Sequence, residues 1–196
     1  MPCVKFWCRP LESGIDSAPV LKALWQRGID IEANATNPDA PGVLLCREGD
    51  PTVARRIMIA TATGARALAL VTDTAHVRAT TCWELLAAGA ADVLGWTPAV
   101  APTIAARLQR WAEVESLSHS NAVRRHLIGN SPPWRRVLRD LVEAGRFSTA
   151  NVVLLGESGT GKEQAARLVH TLDPIRCSRP FVILDCSALV PELVGS

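Results

Sequence analysis

At 196 residues, 48% hydrophobic and 20% charged, the chain has the make-up of a globular protein with room for one large domain or two small ones. Its net charge of +2 is too small to argue for nucleic acid by itself. It contains no run of eighteen apolar residues, and the N-terminal MPCVKFWCRPLES lacks the charged-then-apolar build of a signal peptide, so a cytoplasmic protein with no membrane partner is expected.

Over residues 1–115, short apolar runs alternate with helical patterns, the sequence sign of a parallel sheet covered by helices. Strands are expected at 4–8, 29–33, 43–46, 67–72 and 92–94, with helices at 18–27, 52–62, 75–88 and 100–115. Five strands with interleaved helices in that length fit a flavodoxin-like α/β domain. Two apolar stripes stand out, Trp83, Leu85 and Leu86 on one helix and Ile104, Leu108, Trp111 and Val114 on the next. Most of each stripe should be core, with Trp111 the candidate for self-association through a continuing linker helix, although the pattern breaks at Glu115. Six cysteines (Cys3, Cys8, Cys46, Cys82, Cys177, Cys186) form no C-x-x-C pair and have no histidine at zinc spacing, so simple thiols and no metal site are expected.

Residues 116–130 are polar and rich in Ser, His and Arg, and read as a linker. Arg124, Arg125, Arg135, Arg136 and Arg139 cluster there and just beyond, and are expected on a solvated face. Ser131 reads as an N-cap with Pro132 at the first helical position, opening a helix that carries Trp134, Val137, Leu138, Leu141 and Val142 and ends near Gly145.

NVVLLGESGTGKEQ, residues 151–164, is the most informative segment: an apolar run, a glycine-rich turn ending in lysine, and the start of a helix. A phosphate needs a ring of backbone N–H donors, and Gly156, Gly159 and Gly161 give the backbone the freedom to form one. The helix that follows aims its positive end at the same spot, and Lys162 reaches the β- and γ-phosphates. G-x-x-x-x-G-K alone occurs by accident in about one chain in twenty of this length. The expected strand at 152–155 and the helix after it are the flanks the mechanism requires. The next position, where most P-loops keep a magnesium-holding Ser or Thr, is Glu163.

The block GESGTGKE, glutamate included, resembles the Walker A motif of bacterial enhancer-binding proteins, the AAA+ activators of sigma-54 RNA polymerase. Leu127-Ile128-Gly129-Asn130-Ser131-Pro132 is similar to that family's opening motif at a similar spacing. Arg179-Pro180-Phe181-Val182 followed by Asp185-Cys186-Ser187-Ala188-Leu189 resembles its next strand and turn. The resemblance implies that Gly156, Glu157, Ser158, Gly159, Thr160, Gly161, Lys162 and Glu163 bind the phosphates of ATP and that Ile128 and Gly129 lie close to the adenine. It also implies magnesium, and sigma-54 RNA polymerase and DNA as partners of a full-length member. In the family the pattern continues into the GAFTGA loop, Walker B acids, sensors, an arginine finger and a helix-turn-helix, none of which has a counterpart here. The chain is therefore expected to be the N-terminal part of such an activator, with an incomplete P-loop AAA+ domain (131–196) not active as an ATPase alone. Because later strands of the family separate those at 152–155 and 181–184, the fragment is expected to be only partly ordered, exposing unpaired edges and apolar surface or pairing its two strands with each other.

Residues 1–115 resemble, more faintly, receiver domains of response regulators, through Gly89-Ala90-Ala91-Asp92-Val93-Leu94 and Thr72. The receiver's acid pair aligns with Cys8-Arg9-Pro10, its phospho-accepting aspartate with Cys46 and its lysine with Trp96, which implies a pseudo-receiver not phosphorylated on aspartate. Two other classes remain open. A different P-loop enzyme, such as a small kinase, would need a metal-binding acid pair that does not follow here. A stand-alone, non-hydrolysing regulatory module would work through its first domain.

Overall fold

The computed structural model describes residues 5–33 and 40–185, with the side chains of residues 76 and 126 left aside. Cys3 and residues 186–196, which hold the end of the last motif, lie outside the described residues. Five strands, β1 (Phe6–Pro10), β2 (Ile31–Ala33), β3 (Gly42–Cys46), β4 (Ala67–Val71) and β5 (Asp92–Gly95), form one parallel sheet in the order β2-β1-β3-β4-β5. That is the order of flavodoxin-type sheets. β3 (GVLLC) and β4 (ALALV) are buried at every position. Continuous apolar runs are what a strand needs when helices cover both of its faces.

The helices are α1 (Ala18–Trp25), α2 (Pro51–Thr61), α3 (Ala79–Ala87), α4 (Ala101–Ser118), α5 (Asn121–His126), α6 (Pro132–Phe147) and α7 (Lys162–Leu172). α1 and α4 lay Val20, Leu24, Ile104, Leu108 and Trp111 against Phe6, Cys8, Val43, Leu45, Leu68 and Leu70 on one sheet face. α2 and α3 bring Val53, Ile57 and Leu85 to Trp7, Leu44, Cys46, Ala69 and Val71 on the other. The alternation of Phe6 and Cys8 with Trp7 follows from the two-residue period of a strand. Trp7 lies on the second face, where its Nε1 donates to the Ala40 carbonyl at 2.7 Å. Its ring rests on Gly42, its neighbour in register, and a Cβ on Gly42 would come within 2.1 Å of that ring.

Several expectations change. Trp111 is buried in the first core with Arg66 over its ring, and Val114 is fully buried, so this stripe is spent inside the chain and offers no surface for self-association. Trp83 is the exposed member of the other stripe. The helix expected at 75–88 begins as a 3-10 turn, Thr74–His76, because the Asp73 carboxylate accepts from Ala75 N, and α3 starts only at Ala79. α4 runs on to Ser118, and the polar stretch after it folds as α5, capped by Ser120 and pinned by buried Val123 and Leu127. Residues 152–155 and 181–184 form no strand, either with each other or with the sheet, and Val153, Leu155 and Val182 stand exposed. A strand needs a neighbour to satisfy its N–H and C=O groups, and none lies beside these segments among the described residues.

A second core joins α4 through α7, built from Val114, Val123, Leu127, Leu138, Leu141, Val142, Ala165 and Leu168. α6 also locks onto the first sheet's surroundings. Arg139, expected in solvent, is 2% exposed. Its Nε and Nη2 donate to the Glu115 carboxylate of α4 at 2.5 and 3.1 Å, and its Nη1 donates to the Gly64 carbonyl. Arg66 and Arg110 both reach Glu143 of α6, at 2.8 and 3.0 Å, and Arg135 Nη2 donates to the Thr63 carbonyl at 3.0 Å.

Candidate functional site

Gly159 and Gly161 adopt positive φ, 79° and 81°, and a Cβ on either would meet nothing within 4 Å. The loop is therefore open on the side toward which its backbone turns. Gly161 is the N-cap of α7 in the left-handed conformation, with no side chain capping the helix, which leaves the first-turn amides available to an anion. Lys162 Nζ folds back over the loop and donates to the carbonyls of Gly156 and Glu157 at 2.9 and 2.6 Å. Thr160 Oγ1 donates to the same Glu157 carbonyl at 2.7 Å, tightening the turn. The donor set thus consists of backbone amides and one ammonium, all solvent-accessible. Glu163 is occupied by Arg167, which donates to it at 2.8 and 3.0 Å across one helical turn, so its carboxylate faces along the helix. It does not fit the place of a magnesium-holding hydroxyl.

Ile128 and Gly129 sit between α5 and α6. Ile128 is exposed, and Gly129 has φ 153° with a would-be Cβ only 2.5 Å from the Trp134 ring. They line a cavity of about 270 Å³ together with Glu115 and Ser118 of α4, His119 just after it, and Arg135, Leu138 and Arg139 of α6. None of the loop residues 156–163 lines it, so the two parts of the expected nucleotide site do not share this pocket. The α4 residues were missed as site residues. Their one signal was the break of the apolar stripe at Glu115.

At the C-terminal edge of the first sheet, where ligands bind this type of fold, the crevice between β1 and β3 is closed. β1 ends at Pro10, and one further backbone bond follows it, from Leu11 N to the Leu45 carbonyl. Glu12 then accepts from Arg47 N at 2.6 Å, and the Arg47 guanidinium donates to the Ser13 carbonyl. Cys46 ends β3 fully buried, and burial, reinforced by Glu12 and Asp50, pushes its thiol up to about 12. Thr72 Oγ1 donates to the Cys46 carbonyl at 3.1 Å, and Trp96 packs partly buried against the opposite core.

Residues 127–196 match the Sigma-54 interaction domain family. Through this segment the chain is similar to the sigma-54-dependent activators. The chain is 44% identical over 69 residues to the transcriptional regulatory protein XylR of Pseudomonas putida, which covers 35% of the chain and 12% of that protein. It is 34% identical over 140 residues to the transcriptional regulatory protein ZraR of Salmonella typhimurium, covering 66% of the chain and 30% of that protein. These stretches are less than a third of either relative's length. The crystal structure of NtrX from Brucella abortus in complex with ATP matches at 18% identity over 98% of this chain and 45% of that one, with a TM-score of 0.44, a likeness too loose to build on. No helix among the described residues is long and apolar enough to cross a membrane.

Proposed function

We propose that the chain is the N-terminal portion of a sigma-54-dependent transcriptional regulator that binds ATP through the loop 156–163, with a receiver-like regulatory domain at residues 1–115 that takes no phosphoryl group. The observation that carries this is the uncapped start of α7 under the glycine loop, with Lys162 held at the loop's mouth by carbonyls that a phosphate would displace. Residues 116–130 join the two parts and bring Ile128 and Gly129 near the adenine, and 131–196 form the beginning of an AAA+ domain. Sigma-54 RNA polymerase, DNA and magnesium belong to the longer protein, and the cytoplasm is its compartment. The non-phosphorylatable first domain is supported by the buried Cys46 thiol at the end of β3 and by the Glu12 and Arg47 contacts that close the crevice.

Calorimetric titration of the 196-residue chain with ATP tests the first part. Binding that is lost in Lys162→Ala supports it, and unchanged affinity refutes it. Incubation with acetyl phosphate followed by intact-mass measurement tests the second. No gain is expected, and a gain of one phosphoryl group overturns the pseudo-receiver assignment.

A further inference from the structure

α4 runs from the first core into the second, and beside it the seam between the two is not filled. A cavity of about 810 Å³ opens there, inside the roughly 300–1,000 Å³ range of whole small-molecule sites, which favour the boundary between two packed units. Gln109, Ala112, Glu113 and Ser116 line it at the spacing of one helical face of α4. Phe6 and Ala112 reach it from the first core, Leu117 and Leu172 from the second. Ala112, Leu117 and Leu172 are only partly buried, so each core leaves apolar surface uncovered along the seam, and an apolar body seated on it is stabilised by taking that surface out of water. Among the described residues the charged part of the lining is three acids, Asp30, Glu113 and Asp173, and one cation, Arg146. Arg146 Nε lies 3.6 Å from Glu113, and Arg176, outside the lining, donates to Asp173 at 3.2 Å, so three acids against two cations leave one net negative charge. The backbone amides of Arg176 and Ile175 hold the Asp173 carboxyl below its ordinary range and so keep it ionised. α7 ends in the lining, at Thr171 and Leu172, and the carboxyl end of a helix favours a cation.

We propose that this cavity binds a small organic cation, an apolar ring system carrying one amine, with the ring on Phe6, Leu117 and Leu172 and the ammonium toward the carboxylates of Glu113 and Asp30. The contact between Arg146 and Glu113, with side chains 41% and 38% exposed, is of the weak surface kind, so the carboxylate turns to an incoming ammonium at little cost. Phe6 and α4 form one wall, and Arg146 of α6 with the end of α7 forms the other, so the bound cation fastens the Sigma-54 interaction segment to the first domain. α7 begins at the glycine loop with Lys162 and ends in this cavity, which makes one helix the link between the two sites. None of residues 156–163 lines the cavity, and the site does not depend on the ATP-binding assignment above.

The test titrates two probes into the full 196-residue chain at neutral pH: dansylcadaverine, an amine whose ring brightens in apolar surroundings, and dansylaminopentanoate, a carboxylate with the same ring on a chain of similar length. The amine is expected to bind one molecule per chain and about tenfold or more tighter than the carboxylate, because like charges repel at close range. Ser116→Trp and Gln109→Trp each fill the cavity from an exposed position on α4, and either is expected to weaken the amine about tenfold or more. Glu113→Gln removes one carboxylate and is expected to narrow the preference for the amine to about threefold or less. Circular dichroism establishes which variants are folded, and the comparison of the two probes on the unmodified chain stands without any variant. The proposal is overturned if the amine does not bind, if the carboxylate binds as tightly, if a folded cavity-filling variant binds the amine unchanged, or if folded Glu113→Gln keeps the full preference. It is overturned also if sedimentation shows a dimer that Ser116→Trp separates, since the seam is then an interface between two copies of the chain.

Discussion

Glu115→Gln probes what holds the two parts of the chain together. Arg139 is buried, its side chain 3% exposed against 16% for Glu115, and the guanidinium makes two bonds to that carboxylate and one to the Gly64 carbonyl. An exposed ion pair is worth about 0–1 kcal/mol, because water and salt screen it. Here the amide substitution removes the counter-charge yet leaves the cation where water cannot reach it. Breaking one partner of such a buried pair costs about 3–5 kcal/mol. At roughly 2–4 °C per kcal/mol for a chain of this size, the midpoint of thermal unfolding should fall by about 6–20 °C. Arg139→Met, which removes the charge and keeps the volume, should cost less, and adding Glu115→Gln to it should cost little more. Urea unfolding followed by circular dichroism gives the free energies of all four proteins in the cycle. A loss under about 1 kcal/mol for Glu115→Gln would place the pair in the surface class and refute the latch.

Gly42→Ala should destabilise the chain by about 1–3 kcal/mol or more, since its Cβ would come within 2.1 Å of the Trp7 ring, and Trp7→Leu in the same chain should recover part of the loss. Urea midpoints read both. Cys8 and Cys46, their thiols raised to about 12 by burial, should resist a thiol-specific reagent at pH 8 in the native chain while exposed Cys177 reacts at once, as peptide mapping of the labelled protein would reveal. Because the folded pKa of both thiols lies above the ordinary value of 9.0, the stability they contribute is complete below pH 9 and is lost as the pH rises from 9 toward 12. Denaturation midpoints that stay flat over that window would contradict their burial.

The central sheet was legible because its strands are buried on both faces, which writes an uninterrupted apolar run such as Ala67–Val71 into the sequence. The glycine loop was legible because its chemistry is local, with donors and lysine within seven consecutive residues. The buried Arg139 was not. It reads as one more member of the arginine cluster with Arg135 and Arg136, and what removes it from water are Glu115, 24 residues away, and Gly64, 75 residues away. α5 was hidden for a similar reason, since a six-residue helix with four polar members is anchored through Val123, and that anchor is set by α6 and α7. Residues 152–155 show the converse. Their composition favours a strand, but pairing is a property of the neighbour as much as of the segment, so propensity alone did not make one. The Glu12–Arg47 closure escaped notice because the strand was expected to stop at residue 8, whereas β1 runs to Pro10 and its backbone pairing with β3 to Leu11.

α4 belongs to two cores at once, with Ile104 and Leu108 in the first and Val114 in the second, and no break between them. Eighteen residues of unbroken helix make a rod about 27 Å long. Such a rod does not absorb a displacement as a hinge would. A tilt of about 5° imposed on it where it crosses the sheet would carry its far end, the one holding Glu115 and Ser118, through about 2 Å. That travel is comparable to the spacing that separates a made hydrogen bond from a broken one, so whatever presses on the outer surface of the first domain is felt, with leverage, at the place where Arg139 is gripped.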